Sequence, residues 1–220
     1  MSIHACSRIL LQPGLLLLKQ AVNSEEQSSL VKLLSEQTFY PSGNNTDRMR
    51  FYDRVECFPL LLETYLKIMA VVKKMDEHFI EAVPTHVITL RYNSFAQTAP
   101  HIPWHTDNGK NDGLEDYPVT SISLGDSCDF LVCNEKPRTA EGFPASNPSN
   151  LKHRVILDAG DALVFYGPSR MIWHAIYDMT PKEGYRYNVT YRRTPHLIGK
   201  ENEYAVVPPG LGKNNPFYSI

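Results

Sequence analysis

Three residues of this chain form a pattern that can bind a metal ion. His105 and Asp107 are two positions apart, and His174 follows far downstream. If the first pair lies on a strand, both side chains project from one face, because strand side chains alternate with period two. Two imidazoles and one carboxylate leave coordination positions open on one side of the ion, as in non-haem Fe(II) oxygenases. The pattern therefore predicts an iron site.

A His-x-Asp pair alone is weak evidence, because it recurs by chance among unrelated surface or core histidines. The residues downstream of His174 strengthen the prediction. Arg186 and Arg192 bracket a segment, RYNVTYR, with the β-branched and aromatic character of a buried strand. Arginines are seldom fully buried without a partner, so these two indicate a ligand or a charge network.

Length and charge restrict the function classes. The chain has 220 residues, 42% of them hydrophobic, which is ordinary for one globular domain with its own core. The formal net charge is -2 and the pI is about 6.4, so any nucleic-acid contact must come from a local basic patch. Four cysteines show no metal-binding spacing and are interpreted as reduced thiols of an intracellular protein. We expect a cytoplasmic or nuclear location. The cysteines are Cys6, Cys57, Cys128 and Cys133.

The apolar run at residues 8–18 has two interpretations. It resembles the core of a secretory signal, but Pro13-Gly14 interrupts it and no cleavage site follows cleanly. The alternative is a turn followed by a buried strand at Leu15–Leu18, and the flanking turn signal favours that strand. No run reaches the ~20 apolar residues of a membrane helix, so we expect no membrane partner.

The element order predicts the fold class. Helical spacing occurs at about 23–37, with Asn23 or Ser24 as the N-cap, and again at about 59–79. Residues 41–50 are polar and are predicted to be a loop. From residue 84 onward about eight short strands follow. Two helices before a run of strands indicate an α+β protein with a double-stranded β-helix, or jelly roll, on which the two N-terminal helices pack.

Several motifs together resemble one family. They are WHTD at 104–107, SISLG at 121–125, GDALV at 160–164, Ser169-Arg170, His174 and RYNVTYR at 186–192. In this order they resemble the AlkB family of Fe(II)- and 2-oxoglutarate-dependent dioxygenases. The resemblance covers about residues 84–195, and its R-x-N-x-x-x-R element is the most specific piece.

The resemblance implies one AlkB-like domain over residues 1–220. Helices and a substrate flap would occupy about 1–83, the jelly-roll core about 84–195, and a C-terminal tail 196–220. The participants would be Fe(II), 2-oxoglutarate as co-substrate, and O2. We expect the protein to be a monomer.

The resemblance also assigns residues to this chemistry. His105, Asp107 and His174 would hold the iron, and occupancy should fall at acid pH because only neutral imidazole binds a metal. Arg186 matches the position that holds the far carboxylate of 2-oxoglutarate, where a guanidinium can bind bidentately. Arg192 is expected near the iron-bound end, and Ser169-Arg170 beneath the iron strand. The expected co-substrate residues are Tyr92, Ser121, Arg186, Asn188, Thr190 and Arg192.

The substrate assignment rests on the segment between the first helix and the jelly roll. In the family this segment folds over the active site and grips a flipped nucleobase or its alternative. The aromatic and basic residues of this segment are Tyr40, Arg48, Arg50, Phe51, Tyr52 and Arg54. The substrate candidates are Tyr40, Arg50, Phe51, Tyr52 and Trp104. Aromatic rings stack on bases and arginines meet phosphates, and the preceding Gly- and Asn-containing loop favours a mobile flap. Alternatively, Phe51 and Tyr52 anchor a loop in the core, and Trp104 packs inward.

The expected reaction is oxidative N-demethylation of a methylated nucleobase in DNA or RNA, which releases formaldehyde, succinate and CO2. One alternative is the same chemistry on a protein side chain or a small molecule. A second alternative, of another class, is a non-catalytic jelly-roll module that only binds a ligand. Succinate release with iron and 2-oxoglutarate separates that module from either enzyme.

Overall fold

The structure is a computed structural model that describes residues 7–52, 58–77, 79–80, 82–93, 95–96, 99–107, 117–138 and 147–193, with the backbone alone at 49–52. Its helices are α1 (Ser24–Ser35) and α2 (Pro59–Lys73). Its strands are β1 (Ser7–Gln12), β2 (Leu15–Lys19), β3 (Tyr40–Gly43), β4 (Thr46–Tyr52), β5 (His86–Tyr92), β6 (Ile102–His105), β7 (Val119–Gly125), β8 (Ser127–Cys133), β9 (His153–Leu157), β10 (Ala162–Phe165), β11 (Trp173–Thr180) and β12 (Arg186–Arg192). In the described part of the chain, neither helix is long and apolar enough to cross a bilayer.

The strands form two antiparallel sheets. The larger sheet has the order β1-β2-β10-β7-β12-β5-β4-β3, and the smaller sheet has the order β6-β11-β8-β9. The eight strands predicted after residue 84 are all present as β5 to β12. Three strands were not predicted: β1, which pairs with β2, and β3 and β4 between the helices.

Alternating side chains of the larger sheet fill two separate cores. On β2, Leu16 and Leu18 join the helix-side core, which contains residues of α1, α2 and the sheet. Leu15 and Leu17 join the inter-sheet core, which contains residues of both sheets. A strand buried on both faces has no polar side, which explains the unbroken leucine run. The interpretation of Leu15–Leu18 as a buried strand is confirmed.

The two helices begin as the sequence predicts, but the second ends earlier. Asn23 caps α1: its side chain accepts from the Glu26 amide, and the Glu26 carboxylate accepts from the Asn23 amide. Glu26 also binds Lys67 of α2 at 2.6 Å, which ties the helices together. The predicted end of α2 at residue 79 is wrong. The helix ends at Lys73, and Phe79 packs into the helix-side core from outside the helix.

The prediction of a loop at 41–50 is also wrong, because this segment forms the β3–β4 hairpin. Gly43 pairs with Thr46, so Asn44 and Asn45 form a two-residue turn. Their φ values are 52° and 55°, as a type I′ turn requires. Asparagine tolerates this left-handed backbone better than most residues. The polar composition of this segment predicted a loop, although the segment forms a hairpin. Its type I′ turn has the backbone twist that suits paired strands.

Contacts on several sides fix the hairpin in place. β4 pairs with β5 over seven residues, from Thr46 to Tyr52. At the tip, the Asn93 amide donates to the Asn45 carbonyl at 3.2 Å, and the His101 amide donates to the Asn44 carbonyl at 3.4 Å. The hairpin is thus a paired edge of the larger sheet.

A second clamp lies on the other face of the sheet. Arg91 donates to Asp47 from both Nε and Nη2, at 3.1 and 2.6 Å. The same guanidinium lies 4.8 Å from the centre of the Phe39 ring. This ion pair links β4 to β5 through side chains as well as through the backbone.

The turn conformation leads to a test at Asn45. Asn45→Ala should lower the free energy of unfolding by up to about 1–2 kcal/mol, because alanine lacks the short polar side chain that helps asparagine adopt a left-handed backbone. Asn45→Gly should retain more stability, because glycine adopts positive φ without that cost. Both variants lack the asparagine side chain, so their difference in urea unfolding isolates the backbone effect. Equal stability of the two variants would contradict the type I′ turn.

Candidate active site

Strand pairing brings the three proposed metal ligands together. His105 ends β6 and is the direct backbone partner of His174 on β11. Asp107 lies two residues further along, and each residue offers a ligand atom within 4.8 Å of the other two. His105 Nε2 and Asp107 Oδ1 are 3.8 Å apart, too far for a hydrogen bond. The His-x-Asp spacing and the distal histidine thus converge on one point.

Backbone carbonyls determine which nitrogen of each histidine can bind a metal. His105 Nδ1 lies 2.8 Å from the Pro103 carbonyl, and His174 Nδ1 lies 3.2 Å from the Ile172 carbonyl. A carbonyl oxygen only accepts, so the proton of each ring belongs on Nδ1. The Nε2 lone pairs remain for a metal ion, and such second contacts orient metal-binding histidines.

Two phenylalanines support the His174 ring. Phe130 and Phe165 stack on it, with ring centres 5.5 and 5.3 Å away. They approach from different sheets, β8 and β10. The ring is 7% exposed, so its orientation is set by packing as well as by the Ile172 carbonyl.

Asp107 is held by two arginines. Arg192 donates from Nη2 to Asp107 Oδ1. Arg170 donates from Nη1 to the Asp107 carbonyl at 3.0 Å and from Nε to the Tyr117 carbonyl at 2.7 Å. Burial by itself raises the pKa of the Asp107 carboxyl, but the positive charge of Arg192, aided by that of Arg170, outweighs burial and holds that pKa well below its usual range. Asp107 is therefore ionised and suited to a metal ion.

Both histidines are held in the neutral form. Burial lowers the pKa of His174 to about 3, and the charge of His105 acts in the same direction. Burial also lowers the pKa of His105. Neutral imidazole is the metal-binding form. The loss of iron expected at acid pH should consequently begin at a lower pH than for an exposed histidine.

A cavity of about 220 Å³ opens beside the three ligands. Five of the six expected co-substrate residues line it, namely Tyr92, Ser121, Asn188, Thr190 and Arg192. The three on β12 occupy alternate positions and face the cavity, whereas Val189 and Tyr191 face the helix-side core. The period of the strand therefore separates site residues from core residues.

The polar residues of this wall are joined to one another. Asn188 donates from Nδ2 to Ser121 Oγ at 2.7 Å, and Thr190 Oγ1 donates to Asn188 Oδ1 at 2.8 Å. The chain of contacts crosses from β12 to β7 at the level where Thr190 and Ser121 are backbone partners. It fixes the amide orientation of Asn188 without a ligand.

Arg186 lies behind the cavity wall and is fully buried. It donates from Nη1 to the Asp126 carbonyl at 3.1 Å and from Nη2 to Ser123 Oγ at 3.0 Å. Its guanidinium is 5.6 Å from the centre of the Tyr92 ring, which does line the cavity. Among the described residues, no carboxylate forms an ion pair with Arg186, and its Nε has no hydrogen-bond partner.

The proposed substrate residues fall into three groups. Trp104 lines the cavity, so of its two interpretations the structure selects a wall residue. Tyr40 is half-buried on β3 and is not among the lining residues. The side chains of Arg50, Phe51 and Tyr52 lie outside the description.

The backbone register still locates two of these positions. Arg50 is opposite Ile88, which lines the cavity. Phe51 is opposite Val87, which belongs to the helix-side core.

Sequence reasoning missed most of one wall of the cavity, of which it had named only Arg48. Ser42, Asn44, Thr46 and Arg48 line it from the β3–β4 hairpin. These residues lie at every second position, which is the signal of a strand face. The signal was available, but the composition of the segment favoured a loop.

Comparison with known proteins defines the class of this chain. Residues 19–192 match the model of the 2OG-Fe(II) oxygenase superfamily. The chain belongs to this superfamily, and its reaction is that of a dioxygenase that uses iron and 2-oxoglutarate.

Individual relatives narrow the comparison. Over 65 residues the chain is 37% identical to the DNA N(6)-methyladenine demethylase ALKBH1D of Arabidopsis thaliana; the match spans 29% of this chain but only 12% of that relative. The solved structure of OsALKBH1 superposes with a TM-score of 0.63 and 19% identity, over 84% of this chain and all of the other. The resemblance to the AlkB family is thereby confirmed.

A third similar structure was solved with a metal ion and 2-oxoglutarate bound. HygX from Streptomyces hygroscopicus, with nickel and 2-oxoglutarate bound, superposes with a TM-score of 0.52 and 15% identity, over 83% of this chain and 84% of the other. The residues present here fit the same two groups. Two Nε2 atoms and a carboxylate suit Fe(II), and the buried guanidinium of Arg186 without a carboxylate partner suits a dicarboxylate ligand.

The metal assignment is tested by comparing two histidines. His174→Ala should reduce bound iron to background, because one of three ligands is lost. His101→Ala is the matched control, since His101 stacks on Tyr177 and does not line the cavity. Metal content is measured after anaerobic loading, with thermal melting to check the fold. Full iron occupancy in His174→Ala would refute the assignment.

The co-substrate assignment is tested at Arg186. Arg186→Ala should weaken 2-oxoglutarate binding about tenfold to a hundredfold, as expected for loss of a hydrogen-bonded charge worth roughly 1.5–3 kcal/mol. Iron binding without co-substrate should change little. Arg91→Ala is the control, because it removes an arginine from the other face of the same sheet. Unchanged affinity for 2-oxoglutarate by calorimetry would show that Arg186 is not the carboxylate anchor.

Proposed function

We propose that this dioxygenase removes a methyl group from a methylated nucleobase in DNA or RNA. The observation that carries the proposal is the cavity beside the three metal ligands, with Trp104 on one wall and the polar β3–β4 hairpin on another. A flat ring can pack against the indole while hydrogen-bonding groups meet its edge. The similarity to a DNA N(6)-methyladenine demethylase supports the same substrate class.

The size of the cavity constrains how a nucleic acid would be used. The cavity of about 220 Å³ also has to hold 2-oxoglutarate, so it leaves room for one base at most and not for a base pair. The target base would therefore be single-stranded or would leave the stack before reaction, as in other enzymes that act on bases. The net charge of -2 agrees with a local contact rather than a broad phosphate-binding surface.

Iron and 2-oxoglutarate, when bound, supply the oxidation of a methyl C–H bond by O2, with conversion of 2-oxoglutarate to succinate and CO2. One oxygen atom enters the methyl group and the other enters succinate. The N–C bond of the N-hydroxymethyl product then breaks to release formaldehyde, and the hydroxyl proton passes to the demethylated nitrogen. The chain itself binds, orients and shields these groups.

The roles of individual residues follow from their positions. His105, Asp107 and His174 hold the metal ion, and Arg192 keeps Asp107 ionised and oriented. Arg186, Asn188, Thr190 and Ser121 would hold the co-substrate beside β12. Tyr92 lines the cavity next to the Arg186 guanidinium, and its hydroxyl would donate to the far carboxylate of 2-oxoglutarate.

We further propose that residues 1–220 act as one domain. The helix-side core joins α1 and α2 to the larger sheet through Leu34, Leu61, Val87 and Val189, all fully buried. Tyr191 of β12 donates to the Leu61 carbonyl at 3.0 Å, so the strand that carries the site rests on α2. The helices would then support the active-site sheet from behind.

The proposed substrate class is tested by product release. With iron, 2-oxoglutarate and O2, methylated single-stranded oligonucleotides should yield formaldehyde in step with succinate. N-methylated peptides of similar length should yield none, and His174→Ala should abolish both products. Formaldehyde released from the peptides alone would indicate that the substrate is a protein side chain and not a nucleobase. Succinate release without formaldehyde from either oligonucleotides or peptides would indicate a small-molecule substrate. Absence of succinate release would favour a non-catalytic binding module.

A further inference from the structure

Two arginines line the cavity, and they differ in what they contact. The Arg192 guanidinium is bound to the metal ligand Asp107. Arg48 comes from β4 of the hairpin and is half-buried. It lines the same cavity as Tyr92 of the co-substrate side and His105 of the metal side. The proposed metal site and the proposed co-substrate site do not include Arg48.

The register places Arg48 beside the co-substrate strand and not on it. Arg48 is the backbone partner of Leu90, and Leu90 is in turn the partner of Asn188 on β12. Adjacent strands are about 4.8 Å apart, so the backbone of Arg48 lies roughly two such spacings from β12. It lines the cavity from the hairpin, together with Ser42 and Asn44. A substrate placed against the hairpin would therefore meet this guanidinium.

The charge of the wall favours some substrates over others. Among the described lining residues, Asp107 is the single acid, against Arg48 and Arg192. Bound Fe(II) and the 2-oxoglutarate dianion would balance each other. Among the described lining residues the positive charges therefore exceed the negative ones, in a partly buried place where water screens charge less than at the surface. A guanidinium also only donates hydrogen bonds.

We propose that Arg48 determines substrate specificity by selecting a neutral methylated base that presents a ring-nitrogen acceptor and by rejecting a cationic methylated base. The selection rests on the proposed function, because it concerns a nucleobase substrate. Attraction comes from a charge-assisted hydrogen bond to the acceptor, and rejection comes from repulsion between like charges.

One pair of bases differs in these two properties, and otherwise only in the position of the methyl group. N(6)-methyladenine is neutral, and its N1 accepts a hydrogen bond. 1-Methyladenine has the same ring and one methyl group, but methylation at N1 removes that acceptor and leaves a positive charge at neutral pH. Charge and acceptor therefore change together while size stays constant.

The test measures binding and turnover of single-stranded oligonucleotides that carry one or the other base. Binding is measured anaerobically by fluorescence anisotropy with iron and 2-oxoglutarate present, and turnover by formaldehyde release. The native protein should bind the N(6)-methyladenine oligonucleotide about tenfold more tightly, or better, than the 1-methyladenine oligonucleotide. This ratio corresponds to the free energy of one charge-assisted hydrogen bond. Arg48→Gln should remove most of this preference, and Arg48→Glu should reverse it.

Controls separate specificity from folding and from overall charge. Arg138→Gln removes an exposed arginine that pairs with Glu135 and is absent from the cavity wall, and it should leave the preference unchanged. Thermal melting identifies variants that fold poorly, and preference is compared only at equal folded concentration. Arg48→Gln is the conservative variant if Arg48→Glu does not fold.

The outcomes distinguish this inference from the function on which it rests. Formaldehyde from neither oligonucleotide would overturn the proposed function and the inference with it. Formaldehyde from one or both, with a preference that Arg48→Gln leaves unchanged, would overturn only the inference. Equal weakening of both oligonucleotides by the Arg48 variants would also overturn it, because a phosphate contact acts on both alike.

Discussion

The active site depends on one strand that is buried on both faces while every second residue is polar. On β12, Tyr187, Val189 and Tyr191 pack into the helix-side core, whereas Asn188 and Thr190 face the cavity. Buried polar groups are costly unless they are hydrogen-bonded, so the cavity face must be a connected network. The contacts with Ser121 meet this requirement between β12 and β7. The same alternation therefore gives the protein a core and a reaction surface from seven residues.

A second constraint is electrostatic and concerns the buried carboxylate of Asp107. Removing a charge from water costs several kcal/mol unless opposite charges compensate for it. Arg192 provides that charge at the carboxylate, and Arg170 fixes the backbone of the same residue. A metal ion would meet a carboxylate that is already ionised and oriented. Arg192 thereby links the end of β12 to the metal ligands, which lie on the smaller sheet and just beyond it.

The β3–β4 hairpin forms a wall of the cavity that a substrate would contact. Composition suggested a flap that closes over the iron, but β4 is paired with β5, the turn is held by Asn93 and His101, and Asp47 is clamped by Arg91. A wall held from several sides presents its groups in set positions before the substrate arrives. Preorganisation of this kind reduces the entropy lost on binding and favours discrimination between similar ligands. It also explains why a single arginine on this wall can influence specificity.

The sequence alone determined the elements whose signals are local. The period of two in β12, the leucine run of β2, the capping box at Asn23 and the order of His105, Asp107 and His174 all depend on neighbouring residues or on motif order. Only the tertiary structure decided which distant residues meet. The hairpin became strands because β5 supplied pairing partners, and Arg186 came to lie behind Tyr92 because of the twist and packing of the sheet. Polar residues by themselves have a weak preference for strands. Long-range strand pairing overrides that preference because it supplies hydrogen bonds and burial that a short segment alone does not have.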